Sequence, residues 1–224
     1  MITVAYFWRI KPKTILWALI HMGWDRLWLK RTKYVSFWKL LGTGKGETFT
    51  VRDGTALRWG FIVVIPREKL DTFNSSRGVE RWRKKSISEF HAVLAPLSVH
   101  GLWADRNPFE IENSIVKNRE WSGEVVAITR ARIKWRKNLI FWRSVPPVTQ
   151  SLHQSEGLIG AIGIGEAPIG LQGTFSLWAS TDAVKNFAYR GSAHQSAIAA
   201  THREKWYSEE LFARFAVLER AGRL

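Results

Sequence analysis

The pattern of strand and helix periods runs through the same order twice along this chain, which restricts the folds open to it. In the second half, residues 124–132 alternate as a strand, with Val125, Ala127 and Thr129 on one side and Val126, Ile128 and Arg130 on the other. Residues 138–154 suit a helix bent near Pro146 and Pro147, and residues 158–165 and 174–178 read as strands joined by a turn rich in glycine. A helix starts at Ser180-Thr181-Asp182, whose side chains suit capping of free backbone N–H groups, and runs towards Lys205; residues 211–218 close the half as a strand. The first half reads in the same order: strand 2–9, helix 14–30, strands 34–41 and 56–65, helix 67–90, strand 93–100.

The expected fold class is therefore α+β: two tandem ferredoxin-like (βαββαβ) halves, residues 1–115 and 116–224, forming an α+β barrel-like unit. Local echoes support the repeat. Gly42-Thr43-Gly44 matches Gly163-Ile164-Gly165, and the stretch from Phe73 to Gly78 matches that from Phe187 to Gly191. Two such sheets either pack face to face or close into a barrel, and a pocket is expected between a sheet and its helices.

Composition narrows the chemistry. The 224 residues include no Cys, which excludes disulfides, thiolate zinc sites, cysteine-held iron–sulfur clusters and thiolate-ligated haem. The formal net charge is +15, so an anionic partner is expected: nucleic acid, an anionic membrane surface or an acidic protein. The first residues lack a signal peptide's basic region and cleavage site, and the uncharged run at residues 14–24 falls short of the roughly 20 residues that a membrane span needs. A cytoplasmic protein is expected, with peripheral contact at the inner membrane as an extension of that reading.

Of six His, His194 stands out by its helix. Phe187, Arg190, His194, Ile198 and Thr201 share one face, while Gly191, Ala193, Ala197 and Ala200 keep the neighbouring surface small, so a flat macrocycle could approach. On pattern alone, tight packing of the helix on its sheet is the stronger explanation of the small residues. Matching Arg77-Gly78 to Arg190-Gly191 puts Arg81 where His194 stands, which implies one cofactor per chain. His202 and Glu204 form an H-x-E fragment, but on a helix their side chains diverge.

Arg130, Arg132, Lys134 and Arg136 alternate with Ala131, Ile133 and Trp135, which gives a one-sided basic stripe suited either to phosphates or to a solvated strand face. In the first helix Trp17, His21, Trp24 and Trp28 lie along one stripe near Arg26, Lys30 and Arg31; a buried face or a membrane interface both account for it. No RNA-binding Gly-Phe-rich signature occurs, which argues against nucleic acid.

The segments Gly163-Ile164-Gly165-Glu166-Ala167-Pro168, Gly173-Thr174-Phe175-Ser176-Leu177-Trp178, Phe187-Ala188-Tyr189-Arg190 with His194, and Trp206 to Phe215 resemble the spheroidene monooxygenase family. In the first half, Leu41 to Gly46 and Gly101 to Phe109 are similar as well. The resemblance implies a haem b enzyme that inserts oxygen into an acyclic carotenoid or similar apolar substrate, giving a ketone after a second round, with O₂ and electrons from a reduced ferredoxin or similar donor. The helix carrying His194 also resembles the one that supplies the axial His in haem proteins of the dimeric α+β barrel class. His194 is the expected iron ligand, Arg190 a partner for a haem propionate, and Tyr189 and Trp178 pocket-wall residues; a surface ion pair is the competing role for Arg190. The other readings are a haem protein with a different reaction, such as haem degradation or dehydration, and a non-catalytic basic protein that binds nucleic acid or anionic membrane.

Overall fold

The first strand, β1 (Ile2–Ile10), is apolar at both parities and is buried on both faces. Ala5 and Phe7 point into one core, and Val4, Tyr6 and Trp8 into another. A strand with two buried faces needs a second layer on each side, and the rest of the chain supplies them. The computed structural model describes residues 1–44, 54–111, 116, 121–133, 152–166, 171–190 and 207–224.

After β1 come α1 (Ile15–Arg31), β2 (Phe37–Gly44), β3 (Gly54–Ile65), the short α2 (Leu70–Asn74), α3 (Arg77–Lys85) and β4 (Ser86–Gly101). The second half gives β5 (Val125–Ile133), β6 (Leu158–Gly165), β7 (Leu171–Trp178), α4 (Thr181–Arg190) and β8 (Tyr207–Ala221). The eight strands form one closed antiparallel barrel in the order β1-β3-β2-β6-β7-β5-β8-β4. Each half thus contributes a ferredoxin-like sheet, β4-β1-β3-β2 and β8-β5-β7-β6.

The two sheets meet along two unequal seams. The stretch of β4 from His91 to Gly101 runs against Leu211 to Ala221 of β8, whereas β2 and β6 pair only at Gly42 with Gly165 and Thr43 with Ile164. The two glycine echoes are therefore the short seam itself. Closure is complete along β4 and β8 and narrow at β2 and β6, and the interior is packed with Phe7, Phe37, Phe90, Phe109, Phe175 and Phe215. Gly60, opposite Phe7 across β1 and β3, leaves room for that ring; a methyl there would sit 2.4 Å from it.

On the outside of the first sheet, α1, α2 and α3 bury Tyr6, Trp8, Phe61, Phe73 and Trp82 in a continuous aromatic layer. Trp8 stacks on Tyr6 at 5.2 Å and on Trp82 at 5.5 Å, and meets Phe61 edge-on at 4.8 Å. Two carboxylates satisfy the indoles: Asp25 accepts from Trp82 at 2.6 Å and also pairs with Arg81, while Glu89 accepts from Trp8 at 2.7 Å and from Arg83 at 2.9 Å. Gly78 lets α3 approach α1 closely, since a methyl there would sit 2.3 Å from the Trp28 ring.

The helix expected over residues 67–90 is shorter than the sequence suggests. After the turn at Arg67–Lys69 and the helices α2 and α3, residues from Ser86 onward are already strand, because Ser86 to Phe90 pair with β1 and Glu89 reaches Trp8. The strand expected at residues 34–41 lies three residues later, at Phe37–Gly44. The helix expected at 138–154 falls almost wholly outside the described residues, as does the part of the 180–205 helix beyond Arg190.

Burial alone would push the Glu89 carboxyl up, but hydrogen bonds from His91, Arg83 and Trp8 bring it down to about 2 from an ordinary 4.5. A depressed carboxylate stabilises the fold fully above its unfolded value, and that stability is lost as pH falls from about 4.5 towards 2. Urea unfolding followed across this window should lose up to about 3 kcal/mol from this group, and Glu89→Gln should flatten the acid limb by a similar amount.

Candidate functional site

The bulges between Arg9 and Ile10 in β1 and between Arg132 and Ile133 in β5 align the two halves residue for residue. With those bulges matched, Thr129 and Ala131 stand where Tyr6 and Trp8 stand on the outer face. Their neighbours on β7, Thr174 and Gln172, stand where Phe61 and Trp59 stand on β3. Four aromatic rings in the first half are thus replaced by two threonines, an alanine and a glutamine. Ala127 and Ser176, paired across β5 and β7, and Ala161 and Gly163 of β6 extend this floor of small side chains.

The edges of the floor carry the larger groups. At one end Trp178 is buried, lies 5.3 Å from Phe187 of α4 and donates its indole N–H to Ser176 Oγ at 2.9 Å. Along β8, Phe212 and Arg214 flank β5 opposite Thr129 and Ala127, and Arg214 Nε donates to Ser98 Oγ at 2.8 Å. Gln172 is buried, and its Oε1 has no hydrogen-bond partner among the described residues. An unsatisfied buried acceptor on a face of small side chains suits a ligand with a flat apolar body and polar groups at its edge. No cluster of three or more His, Asp or Glu suited to a metal ion occurs among the described residues.

Of the residues singled out in the sequence, Trp178 is on this face, beneath α4. Tyr189 and Arg190 are on the last turn of α4, with their side chains outside the described set, and His194 lies outside the described residues. Arg81, at the matching point of the first half, is paired with Asp25. The sequence reading missed Arg214 and Gln172. Arg214 lies inside the segment Phe212-Ala213-Arg214-Phe215, whose alternation already assigns it to the side opposite Ala213 and Phe215.

Of the basic stripe, Arg130 and Arg132 share one side of β5 while Lys134 and Arg136 lie outside the described residues, and Arg130 points inward rather than to solvent. At one mouth of the barrel its guanidinium pairs with Glu166 at 3.1 Å and with Glu209, its side chain 2% exposed. Glu166 also accepts from Lys39 and from the Trp103 indole at 2.7 Å, and Glu209 accepts from the backbone N–H groups of Ala104 and Asp105. Ala104 and Asp105 both adopt positive φ, 57° and 61°, so Glu209 holds a turn that these residues seldom take unaided. Burial pushes the Glu166 carboxyl up, but Lys39, Trp103 and Arg130 together hold it below its ordinary value. Burial draws Arg130 down, yet a guanidinium stays charged at any pH where proteins fold. Removing one member strands buried charge, so Arg130→Met should destabilise the protein by about 3–5 kcal/mol at neutral pH, measured by chemical unfolding.

No family model matches the chain. Among curated proteins it is similar to the spheroidene monooxygenase of Rhodobacter capsulatus, 35% identical over 213 residues, covering 92% of this chain and 85% of that protein. The spheroidene monooxygenase of Cereibacter sphaeroides is 31% identical over 211 residues, 93% of this chain; the chain spans 64% of that relative's length. Among solved structures, an aldoxime dehydratase superposes with a TM-score of 0.61 at 10% identity, covering 96% of this chain and 81% of that one, a likeness of fold alone. The closed barrel with helices on its outer face is that of dimeric α+β barrel proteins. With identity above 30% along nearly its whole length, this chain belongs to the spheroidene monooxygenase family.

Proposed function

We propose that the protein is a haem-dependent monooxygenase that oxidises an acyclic carotenoid, with the haem on the small-residue face of the second sheet beneath α4. The observation that carries this reading is the replacement of Tyr6, Trp8, Phe61 and Trp59 by Thr129, Ala131, Thr174 and Gln172 at matched positions. The first half fills the layer between sheet and helices with its own rings; the second half leaves that floor to another planar, apolar group. The relatives' activity on spheroidene and the haem implied by the family resemblance supply its identity.

His194 follows α4 in the chain and is the residue that would hold the iron, with Arg190 and Tyr189, on the last turn of α4, as further proposed contacts of the haem. Arg214 joins Arg190 as a proposed partner for the propionates, and Trp178 closes one end of the floor. Bound there, haem would supply O₂ activation for insertion into an unactivated C–H bond. Each round takes one O₂, two electrons and two protons, and returns a hydroxyl and one water. A second hydroxylation at the same carbon gives a geminal diol, which loses water to leave the ketone. Among the described residues the floor carries no acid: its polar groups are the Thr, Ser and Gln side chains. Electrons come from outside, and the surplus of 34 Lys and Arg over 19 Asp and Glu suits an acidic ferredoxin-like donor.

Protein expressed with haem precursor should carry a Soret band that responds to reduction. His194→Ala should shift or abolish it, and Ala131→Trp should lower haem content by refilling the face while unfolding at nearly the wild-type temperature. A colourless, folded wild-type protein under haem-replete conditions would overturn the proposal. Incubated with an acyclic carotenoid, O₂ and a reduced donor, loaded protein should yield first a product heavier by one oxygen and then the ketone.

A further inference from the structure

Helix α1 is apolar on both faces. Ala18 and Leu29 face the sheet together with the paired Asp25, as the aromatic layer requires. The opposite face exposes Leu16, Leu19, Ile20, Trp24 and Leu27, with Leu16 and Trp24 each 70% exposed. These side chains recur at spacings of three and four and make a ridge along the helix. A soluble surface helix would place charge there, and exposed apolar patches of this kind mark a contact surface.

The charges around the ridge say what it contacts. Lys11 and Lys13 lie at its start, Lys30 and Arg31 at its end, and Arg26 on its flank, all exposed, whereas the one acidic residue of α1, Asp25, is buried against Arg81 and Trp82. The outward face therefore carries cations and no anion. Beside it, Arg26, Lys30 and Arg106 help line a groove of about 420 Å³. Two copies pairing antiparallel through this ridge would set Lys11 and Lys13 against Lys30 and Arg31, a like-charge contact that disfavours a second copy as the occupant. None of the described helices is long and apolar enough to cross a membrane, so the ridge suits a helix lying in the interface plane.

We infer that α1 docks the protein on an anionic lipid bilayer, with Leu16, Leu19, Ile20, Trp24 and Leu27 entering the headgroup and acyl boundary and Lys13, Arg26, Lys30 and Arg31 meeting anionic headgroups. This face belongs to the first-half helical layer, so the inference does not rest on the haem reading, although a bilayer is where an acyclic carotenoid would dissolve.

The test is co-sedimentation of the full chain, without carotenoid or electron donor, with vesicles of phosphatidylcholine alone or mixed with phosphatidylglycerol. The protein should sediment with the mixed vesicles, bind phosphatidylcholine at least about tenfold more weakly, and be released in part by high salt. Leu16→Gln/Ile20→Gln/Leu27→Gln and Lys30→Glu/Arg31→Glu should each weaken binding by about tenfold or more, with thermal unfolding close to wild type because all these positions are exposed. Wild-type protein that stays in the supernatant, or a triple variant that binds as well as wild type, would overturn the inference. So would a triple variant that changes from dimer to monomer by light scattering, since the ridge would then be an interface between copies. The Soret band of haem-loaded protein is read separately, so failure here and failure of the proposed oxygenase are distinguishable.

Discussion

The buried ion network of Arg130, Glu166 and Glu209 is the interaction on which the rest of the molecule depends. It draws on β5, β8 and the end of β6 in the second half, on Lys39 from β2 in the first, and on Trp103 and the turn at Ala104 and Asp105 from the connection between them. Burying charge is costly unless it is paired, so the network favours the arrangement in which those segments meet. Its site explains that arrangement: β2 and β6 touch only at Gly42–Gly165 and Thr43–Ile164, and a seam so short needs a second clamp. Trp103 and Phe109, carried in by the same connection, plug that end of the aromatic interior.

Several segments that carry the family resemblance converge on this mouth. Glu166, Glu209, Trp103 and the paired glycines come from four separate stretches of the chain, and all serve closure. Much of what makes this sequence recognisable is thus architecture, while the candidate chemistry lies on a different face. The two halves divide the work. One packs its outer face with Tyr6, Trp8, Phe61 and Trp82 and so becomes a rigid support; the other carries the smaller Thr129, Ala131, Thr174 and Gln172 at matched positions. A repeat whose copies share a backbone but differ in side-chain volume fits the proposal of one site, not two, in each chain.

Strand and helix periods were legible wherever local pattern and tertiary contact agree. Strand β6 lies where its alternation puts it, and α1 is displaced by a single residue at each end. Reading failed at Ser86 to Phe90, a polar stretch after a basic helix, because its strand character comes from pairing with β1 and from the indole that Glu89 receives. Of the candidate site, the structure places Trp178 on the outer face beneath α4, its role standing as proposed, while Arg214 and Gln172 are not legible because nothing in a strand's sequence states which groups its outer side chains will meet. His194 lies outside the described residues, and its role stands as proposed.

The sequence by itself determined the repeat, the absence of thiol chemistry and the alternation that makes Arg130 and Arg132 neighbours on one side of β5. Only the tertiary structure decided that this side faces inward. Alternation has a period of two and no sign: it separates the faces of a strand but does not say which will meet water. That choice is made by closure, which turns Arg130 towards Glu166 and Glu209 and turns Thr129 and Ala131 towards the helical layer, where the same residues form the floor of the candidate site.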